Sequence, residues 1–311
     1  MTDVEEMINH LRRMGPVLKV QTVMLQEMQN FMIEKGFQQI MPVITSKFTD
    51  PLAPDPSSGV ISVPTFEYYS QRLLLTQSMI LHKQLSLLAS ERIFTFSPNV
   101  RLESKDRAKT KRHVFEFTQM DFEIAYAKMR DVMNLVEELV IHIIKTVREK
   151  CREELEIFNR ELKIPERPFK IYKYSEVLEK FGSDDDLSRM EKEPFWIVDI
   201  KRYFYDKEDD NNPGHFLNYD LILPEGYGEV LSGGEREYRY QKILERMKEL
   251  EEMGKDLSMY KNYLEVARMD LLKPSAGGGI GIERMLRFLC GKENIKEVQL
   301  FPRIPGEDVI F

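Results

Sequence analysis

The sequence has few cysteines and no long apolar run. Its 311 residues include only Cys151 and Cys290, which cannot form a disulfide framework and do not stand at a metal-ligand spacing. The longest mostly apolar stretch, residues 132–147, is interrupted by two glutamates, a histidine and a lysine, whereas a membrane span needs about 20 apolar residues. The N-terminus also lacks the basic and apolar segments of an export signal. These absences exclude a membrane protein and predict a cytoplasmic location.

Positive charge is not in excess either. The 45 lysines and arginines stand against 52 aspartates and glutamates, and the formal charge of −7 argues against a surface coated with basic residues for nucleic acid. One basic segment, KDRAKTKRH at residues 105–113, carries five lysines and arginines and a histidine. Taken alone, such a segment is typical of a solvated loop. With 42% hydrophobic residues, the chain can nevertheless bury a large core.

Helix and strand patterns alternate irregularly along the chain. Apolar residues at helical spacing predict one long helix over about 16–35 and a second over about 132–147. Strand-like runs occur on both sides of a mainly helical insertion at about 128–193. No linker rich in proline or glycine divides the chain. The pattern predicts an α+β fold on an antiparallel sheet, formed by residues 1–311 as a single domain.

One predicted hairpin, residues 99–124, carries polar side chains where a buried strand would carry apolar ones. Alternate residues of a strand lie on the same face. Two such sets occur here: Arg101 with Glu103, and Phe117 with Gln119, Asp121 and Glu123. Met120 and Phe122, between them, can pack in a core. The polar face is either a binding surface or one side of a half-exposed sheet that meets water, and the residues leave both open.

A glycine-rich segment precedes a predicted helix near the C-terminus. Residues 276–290, AGGGIGIERMLRFLC, have three consecutive glycines and a fourth before Glu283 and Arg284. Glycines at the start of a helix let a ligand approach the backbone, and an arginine there can bind phosphate. The segment lacks the Gly-Lys-Ser/Thr of a Walker loop and the third glycine of a dinucleotide fingerprint. A tight contact between helix and sheet is the alternative explanation.

A third segment, GYGEVLSGGERE at residues 226–237, combines carboxylates with a hydroxyl group. The oxygens of Glu229 and Ser232 suit Mg²⁺, which takes one or two protein ligands and completes its shell from phosphates and water. Residues three apart face opposite sides of a regular strand. This pair therefore requires a bulge or a strand end, which Gly233 and Gly234 would permit. A solvated turn is the alternative.

Together and in this order, the three segments resemble the catalytic core of class II aminoacyl-tRNA synthetases, in particular the aspartyl and asparaginyl branch. The resemblance extends from about Pro16 to Pro302. GFQQIMPVI with the helix before it is similar to motif 1, VRLES…TKRHVFEFTQMDFE to motif 2, and GGGIGIER to motif 3. The resemblance implies a six-stranded antiparallel sheet flanked by helices, a homodimer through the motif 1 helix, and ATP-dependent formation of an acyl-adenylate.

The resemblance assigns roles in ATP binding to five residues. Arg101 would bind the α-phosphate and Glu103 the amino group of adenine. Phe117 would stack on adenine, while His113 and Arg284 would hold the β- and γ-phosphates. These assignments give the polar face of the hairpin and the arginine after the glycines a common ligand.

The resemblance also places a magnesium ion and an amino acid. The metal would bind Glu229, which thereby also belongs to the ATP site, and Ser232. The amino acid would contact five side chains: Ser78, Lys83, Gln119, Asp121 and Arg236. A lysine ammonium beside an arginine guanidinium suits a carboxylate, so Lys83 favours aspartate over asparagine.

Two departures from the synthetase pattern change the expected reaction. The motif 1 helix begins within about the first 20 residues, and we expect no anticodon-binding β-barrel of the kind that this branch carries. Ile80 stands where a glutamine helps to bind the substrate ammonium. In these respects the chain resembles the archaeal asparagine synthetase-related proteins, which are synthetase paralogues without the anticodon-binding domain.

This second resemblance implies an ammonia-dependent, AMP-forming asparagine synthetase that works through a β-aspartyl-adenylate. Aspartate, ATP and ammonia would be the substrates, Mg²⁺ the cofactor, and tRNA would not be a partner. Arg101 and Arg284 would act in catalysis by neutralising phosphate charge. Asp121 or Glu123 would take a proton from the attacking ammonia.

Two other functions stay open on the sequence. In one, α-activated aspartate is transferred to tRNA or to a protein amine, with residues 105–112 contacting the acceptor. In the other, the chain is a synthetase-like regulatory or binding module without activity. The weakness of the second is that every expected ATP-contact position is filled.

Overall fold

A computed structural model describes residues 2–51, 59–252, 254 and 256–311 of the chain. The α-helices in these residues are α1 (Asp3–Arg13), α2 (Gly15–Glu34), α3 (Ile80–Ser86), α4 (Met129–Lys150), α5 (Arg152–Ile157), α6 (Tyr174–Phe181), α7 (Asp184–Met190), α8 (Tyr240–Glu252), α9 (Lys261–Arg268) and α10 (Ile282–Leu289). The strands are β1 (Gln38–Gln39), β2 (Thr45–Ser46), β3 (Val60–Ser62), β4 (Thr65–Tyr68), β5 (Gln71–Leu75), β6 (Arg92–Val100), β7 (Leu102–Glu103), β8 (Glu116–Ala125), β9 (Lys170–Lys173), β10 (Phe195–Val198), β11 (Asn218–Leu223), β12 (Gly228–Glu235) and β13 (Ser275–Gly281).

Eight strands form the main sheet, in the order β1-β6-β8-β13-β12-β11-β10-β9. The six central strands, from β6 to β10, are antiparallel to their neighbours. At the two edges, β1 pairs in parallel with β6, and β9 pairs in parallel with β10. The α+β class and the antiparallel core are therefore confirmed. The whole sheet is mixed because one short parallel strand extends the expected six strands at each edge.

The segment at about 128–193 combines four helices with one strand and a loop over 158–169. It contains α4, α5, α6 and α7, and between them β9, which joins the main sheet. This pairing ties the segment to the sheet through backbone hydrogen bonds. The single-domain organisation stays a prediction.

The sheet packs one face against α2, α4 and α10. Phe94, Met120 and Phe122 from the sheet lie fully buried in one cluster with Met24 and Met28 of α2. Burial of each such side chain contributes roughly 1.5–3 kcal/mol. Because β8 uses alternate residues for this cluster, its remaining side chains lie on the opposite face of the sheet. The predicted homodimer through α2 stays a prediction.

The strand predicted after α2 is shorter than its pattern indicates. Only Gln38 and Gln39 pair with β6, and Pro42, which has no N–H, cannot continue such a ladder as a donor. The two long helices lie where the apolar spacing places them, as α2 and α4. In the described part of the chain, no helix is both long and apolar enough to cross a membrane.

Candidate active site

The glycine run forms the central strand β13, next to the polar face of β8. Gly277 pairs with Glu123, and Gly279 with Asp121. A Cβ on Gly277 would lie 2.3 Å from the Glu123 carboxylate, and one on Gly279 would lie 3.0 Å from the Asp121 carboxylate. The glycines therefore leave room for the acidic side chains of the neighbouring strand. The three consecutive glycines lie within β13, and Gly281 is the N-cap of α10. Gly279 and Gly281 line a cavity together with Arg284.

All six residues expected to bind ATP line one cavity. They are Arg101, Glu103, His113, Phe117, Glu229 and Arg284. The Arg101 guanidinium lies 4.9 Å from the centre of the Phe117 ring, and its Nε donates a hydrogen bond to the carbonyl of Gln77 at 3.0 Å. Arg284 donates from Nη1 to the carbonyl and the carboxylate of Glu229, at 3.0 and 3.1 Å. The cavity thus joins the hairpin, β12 and the start of α10.

The charges in this cavity are only partly compensated. Burial raises the pKa of Glu103, although Arg101 and Arg284 oppose the shift. The Glu103 Oε2 atom is buried and has no hydrogen-bond partner among the described residues. Burial, and then Arg284 and Arg112, lower the pKa of His113 well below its ordinary value, so its imidazole is neutral near pH 7. A neutral His113 can donate a hydrogen bond to a phosphate but adds no positive charge.

A β-bulge brings the expected magnesium ligands to one side of β12. Leu221 pairs with Leu231 but the next residue, Ile222, pairs with Glu229, so β12 has one extra residue at this point. The extra residue reverses the alternation of side chains. The bulge that this pair requires is therefore present, one residue after Glu229 rather than at the glycine pair.

Asp220 adds a third oxygen group beside the bulge. It lies directly opposite Ser232 on the neighbouring strand. Burial raises the pKa of Asp220 to about 6, against the effect of Arg202. Burial acts to raise the pKa of Glu229 as well, but Arg284 and Arg112 outweigh it and hold that pKa below its ordinary value.

Beyond the cavity, β8 leads into a buried network of ion pairs. The Nζ of Lys83 lies 2.7 Å from Asp121 Oδ1 and 4.0 Å from Glu123 Oε2, and it donates to the carbonyl of Gly278 at 2.9 Å. Ser97 donates from Oγ to Asp121 Oδ2 at 2.5 Å. Lys83 and Asp121 each expose only 2% of their side chains. A buried ammonium with these partners is well compensated.

Arg236 lies on the other side of the same network. Its Nε donates to Glu123 at 3.1 Å, its Nη1 to Asp206 at 3.1 Å, and its Nη2 to the carbonyl of Gly277 at 3.1 Å. Burial acts to lower the pKa of Arg236, but Glu123 and Asp206 outweigh it and raise that pKa. The network therefore pairs two cations, Lys83 and Arg236, with three carboxylates.

Gln119 and Ser78, the other residues expected at the amino acid, lie outside this network. Gln119 lines the cavity formed by the six residues expected to bind ATP, which we call the nucleotide cavity. It accepts a hydrogen bond from Asn99 at 3.2 Å. Ser78 is buried before α3, and its Oγ accepts the backbone N–H of Ile80 at 3.2 Å. The position of Gln119 between the cavity and the network makes it the link between the two.

A larger cavity, of about 710 Å³, lies between β4–β5 and the turn at Ser258–Tyr260. It is lined in part by Lys47, Asp50 and Arg72. None of the described residues that line it was predicted as a site residue. The expected chemistry therefore lies in the smaller cavity.

Sequence reasoning missed Arg112, Asp206 and Asp220. Arg112 lines the nucleotide cavity and is adjacent to His113, but the pattern placed it only in a basic loop. Asp220 is the one charged residue in a buried strand that is otherwise uncharged, and this pattern could have indicated it. Asp206 belongs to a loop that is distant in sequence, and an isolated antiparallel β-bridge pairs it with Arg236. No local pattern predicts that contact.

Comparisons with known proteins show the family of this chain. The model of the family described as tRNA synthetases class II (D, K and N) matches residues 7–305. An asparagine–tRNA ligase from Pyrococcus abyssi is 28% identical over 96% of this chain and 70% of its own length. An aspartate–tRNA(Asp/Asn) ligase from Methanopyrus kandleri is 31% identical over 97% of this chain and 71% of its own.

A solved structure is similar over the same extent. Asparaginyl-tRNA synthetase from Pyrococcus horikoshii, complexed with asparaginyl-adenylate, has a TM-score of 0.82 and 26% identity, over 95% of this chain and 70% of that one. The family match and the fold define an ATP-dependent ligase of the class II synthetase type. The chain belongs to the tRNA synthetases class II (D, K and N) family.

The family corrects the expectation that tRNA would not be a partner. The relatives named above are tRNA ligases, so the exclusion of tRNA is wrong. The exclusion followed from the expected lack of an anticodon-binding β-barrel and from the resemblance to the asparagine synthetase-related proteins. A local basic segment can bind nucleic acid even in a chain with a net charge of −7, and residues 105–112 form one. Asparagine synthesis is likewise not what these relatives are named for.

Proposed function

We propose that this chain activates aspartate with ATP and transfers the aspartyl group to tRNA. The observation that carries the proposal is the course of β8 from the nucleotide cavity to the ion-pair network. Phe117 and Gln119 line the cavity, and Asp121 and Glu123 belong to the network. At about 3.3 Å per residue along a strand, an amino acid bound at Asp121 lies beside a nucleotide bound at Phe117.

The nucleotide cavity suits ATP for three reasons. Phe117 offers an aromatic ring on which a base can stack. The buried Glu103 Oε2 needs a donor that the described residues do not supply, and the amino group of adenine is one. Arg101 and Arg284 supply positive charge for phosphates at the same cavity.

Glu229 and Ser232 fit Mg²⁺, because the bulge places a carboxylate and a hydroxyl on one side of β12 and Asp220 lies beside them. These are hard oxygen ligands, and a magnesium ion takes the remainder of its shell from phosphates and water. When bound, Mg²⁺ supplies positive charge at the phosphates. The chain's own residues orient and hold the reactants.

The chemistry needs no nucleophile from the protein. A carboxylate oxygen of aspartate forms a bond to the α-phosphorus of ATP, and the bond to the pyrophosphate oxygen breaks. A hydroxyl of tRNA then forms a bond to the acyl carbon, the bond from that carbon to the AMP phosphate oxygen breaks, and the hydroxyl proton passes to the departing phosphate or to water. Arg101 and Arg284 stabilise the negative charge that develops on the phosphates, which is the main way proteins accelerate such transfers.

Aspartate is favoured as the amino acid because Lys83 and Arg236 are the cations of the network next to Gln119. A positively charged donor pair suits a side-chain carboxylate better than an amide. Substrate contact with either cation requires that it share or exchange a protein carboxylate, since both have carboxylate partners here.

The direct test incubates the full chain with Mg²⁺, ATP, tRNA and labelled aspartate, asparagine or lysine. We expect AMP formation and acid-precipitable label on tRNA with aspartate. Label from asparagine instead would support the same reaction with asparagine, rather than aspartate, as the substrate. Label from none of the three, with no pyrophosphate exchange, would contradict the proposal.

One observation favours a second candidate, the ammonia-dependent asparagine synthetase. Ile80 is buried in an apolar cluster with Phe48, Leu81 and Phe204. Its side chain offers no acceptor for the substrate ammonium where the resemblance expects a glutamine. An aspartate bound in the reverse direction would move its amino group away from Ile80 and present its β-carboxylate to ATP.

The same incubation with ammonium in place of tRNA separates the two candidates. Asparagine and AMP formed in equal amounts would support the second candidate, and AMP with charged tRNA supports the first. An Ile80→Gln variant sharpens the test. It should improve binding of α-activated aspartate if the amino group lies near position 80, and should change nothing if the substrate is reversed.

A further inference from the structure

Helix α7, from the segment between the second and third sequence motifs, lies against the nucleotide cavity. Its fully buried Ser188 donates a hydrogen bond from Oγ to the carbonyl of Leu223 at 2.6 Å and accepts the N–H of Gly228 at 3.1 Å. Gly228 directly precedes Glu229, which lines the cavity. The two hydrogen bonds fix α7 to both strands that carry the bulge. Helix α7 therefore forms one side of the nucleotide cavity.

Helix α7 also carries Asp185, which forms an ion pair with Arg112. The Oδ1 of Asp185 lies 2.5 Å from Nη1 of Arg112, whose side chain is only 14% exposed. The ion pair packs directly on the backbone of Gly228. A Cβ at that glycine would lie 2.3 Å from Arg112 Nη1 and 3.1 Å from Asp185 Oδ1, and its φ of +75° also favours glycine. A side chain larger than that of glycine at position 228 would therefore collide with this ion pair.

Arg112 needs such a partner because it stands among other cations. Arg284 and Arg101 line the same cavity. Repulsion between guanidinium groups would turn Arg112 towards solvent, where its charge is hydrated. Asp185 supplies the opposite charge that holds Arg112 in the cavity wall. The Arg112 side of the ion pair is enclosed, whereas Asp185 is 37% exposed, so salt screens the pair only in part.

Arg112 has hydrogen-bonding capacity left over. A guanidinium has five N–H donors. The Nε of Arg112 is buried and has no hydrogen-bond partner in the described ranges of the chain. A phosphate with its several acceptor oxygens matches such a fork of donors.

We propose that Arg112 is a further ligand of the terminal phosphates of ATP and that Asp185 is the residue that positions it. This inference rests on the proposed function, because it takes ATP as the ligand of the cavity. Asp185 itself does not touch the nucleotide. It acts through the orientation of the Arg112 guanidinium, and helix α7 thereby contributes to triphosphate binding.

Calorimetric titration of the full chain with Mg²⁺·ATP, and separately with AMP, tests the proposal. Arg112→Gln should weaken ATP binding about 10-fold or more, as expected for a charge-assisted hydrogen bond. Asp185→Asn should weaken it about fivefold, and Asp185→Glu should recover part of the loss. AMP lacks the terminal phosphates, so its affinity should not change in any of the three variants.

Asp186→Asn is the matched control, because Asp186 lies on the same helix but pairs with Arg189 and Ser183. It should leave ATP affinity at the wild-type value. Arg112→Gln combined with Asp185→Asn should bind ATP no more weakly than Arg112→Gln alone, since the two residues act as one unit.

Two results would overturn the inference. If Asp185→Asn binds ATP as well as the wild type or better, Asp185 does not position a phosphate ligand. If the same change weakens AMP and ATP equally, the ion pair only maintains the fold. Both results compare the nucleotide affinity of a variant with that of the wild type. Failure of the wild type to bind ATP at all would instead contradict the proposed function.

Discussion

The two ends of the polar face on β8 differ in how their charges are balanced. At the network end, Lys83 and Arg236 are almost fully buried, and each has carboxylate and backbone carbonyl partners within hydrogen-bond distance. At the nucleotide end, arginines line a cavity in which Glu103 has an acceptor atom without a partner among the residues that the structure describes. The charges at one end are compensated within the protein, and the other end has groups that a ligand could satisfy.

This difference separates stability from ligand binding. Removal of one partner from a complete buried network leaves a charge without compensation, which destabilises the fold. Removal of a cation from the nucleotide cavity reduces repulsion among the remaining arginines and takes away a phosphate contact. Substitutions at the network end should therefore lower stability in addition to any effect on aspartate binding, and substitutions at the nucleotide end should lower activity with little change in stability. The following changes test this contrast in order of expected effect.

The largest effect is expected from Glu123→Ala, which removes the carboxylate that Arg236 and Lys83 share. We expect a loss of about 3–5 kcal/mol in the free energy of unfolding, measured by urea titration, because two buried cations lose a counter-charge. Glu116→Ala, at the exposed start of the same strand, is the control and should cost less than about 0.5 kcal/mol. A loss below about 1 kcal/mol for Glu123→Ala would show that the network is not needed for stability.

Arg284→Ala should affect activity more than stability. We expect the rate of aspartate-dependent ATP–pyrophosphate exchange to fall by about 10²–10³, because one phosphate-stabilising group is lost. The unfolding temperature should stay close to that of the wild type. Arg268→Ala, an exposed change on α9, should leave the exchange rate unchanged. An unchanged rate in Arg284→Ala would contradict the assignment of the cavity to ATP.

Ionisation of Glu283 should have a smaller effect, which is on the free energy of unfolding and depends on pH. Burial raises its pKa from 4.5 to about 7, although its carboxylate accepts the backbone N–H of Thr118 at 3.0 Å. Between these two values the unfolded chain releases the proton first, so the stability of the folded chain falls as the pH rises, and the full penalty applies above about pH 7. Below pH 4.5 both states are protonated and no penalty remains.

Glu283→Gln should remove this dependence. Relative to the variant, the wild type should lose on the order of 2 kcal/mol in unfolding free energy between pH 4.5 and pH 7. Urea titrations at several pH values measure the difference, with Glu116→Gln as an exposed control. If the stability difference between wild type and Glu283→Gln is constant over this range, the carboxyl group titrates alike in both states.

Some of the site could be predicted because it depends on local pattern. Alternation along β8 places Phe117, Gln119, Asp121 and Glu123 on one face, and the structure has this arrangement. The need for a bulge between Glu229 and Ser232 also follows from strand geometry. The position of the bulge does not, because it depends on the register of β11 against β12.

Other contacts join residues that are distant in sequence, and no pattern indicates them. Asp206 reaches Arg236 from a loop, and Asp185 reaches Arg112 across 73 residues of chain. Each contact exists because two elements pack side by side. Asp121 and Glu123, the carboxylates next to Lys83, likewise come from a different element of the chain.

By itself, the amino-acid sequence determined the α+β class, the apolar faces of α2 and α4, and the residue types available for nucleotide chemistry, because these follow from periodicity and from side-chain chemistry. Only the tertiary structure decided which of the charged residues are compensated within the protein and which remain for a ligand. That distinction depends on distances between strands, helices and loops, and electrostatic compensation in a buried site is a property of such distances.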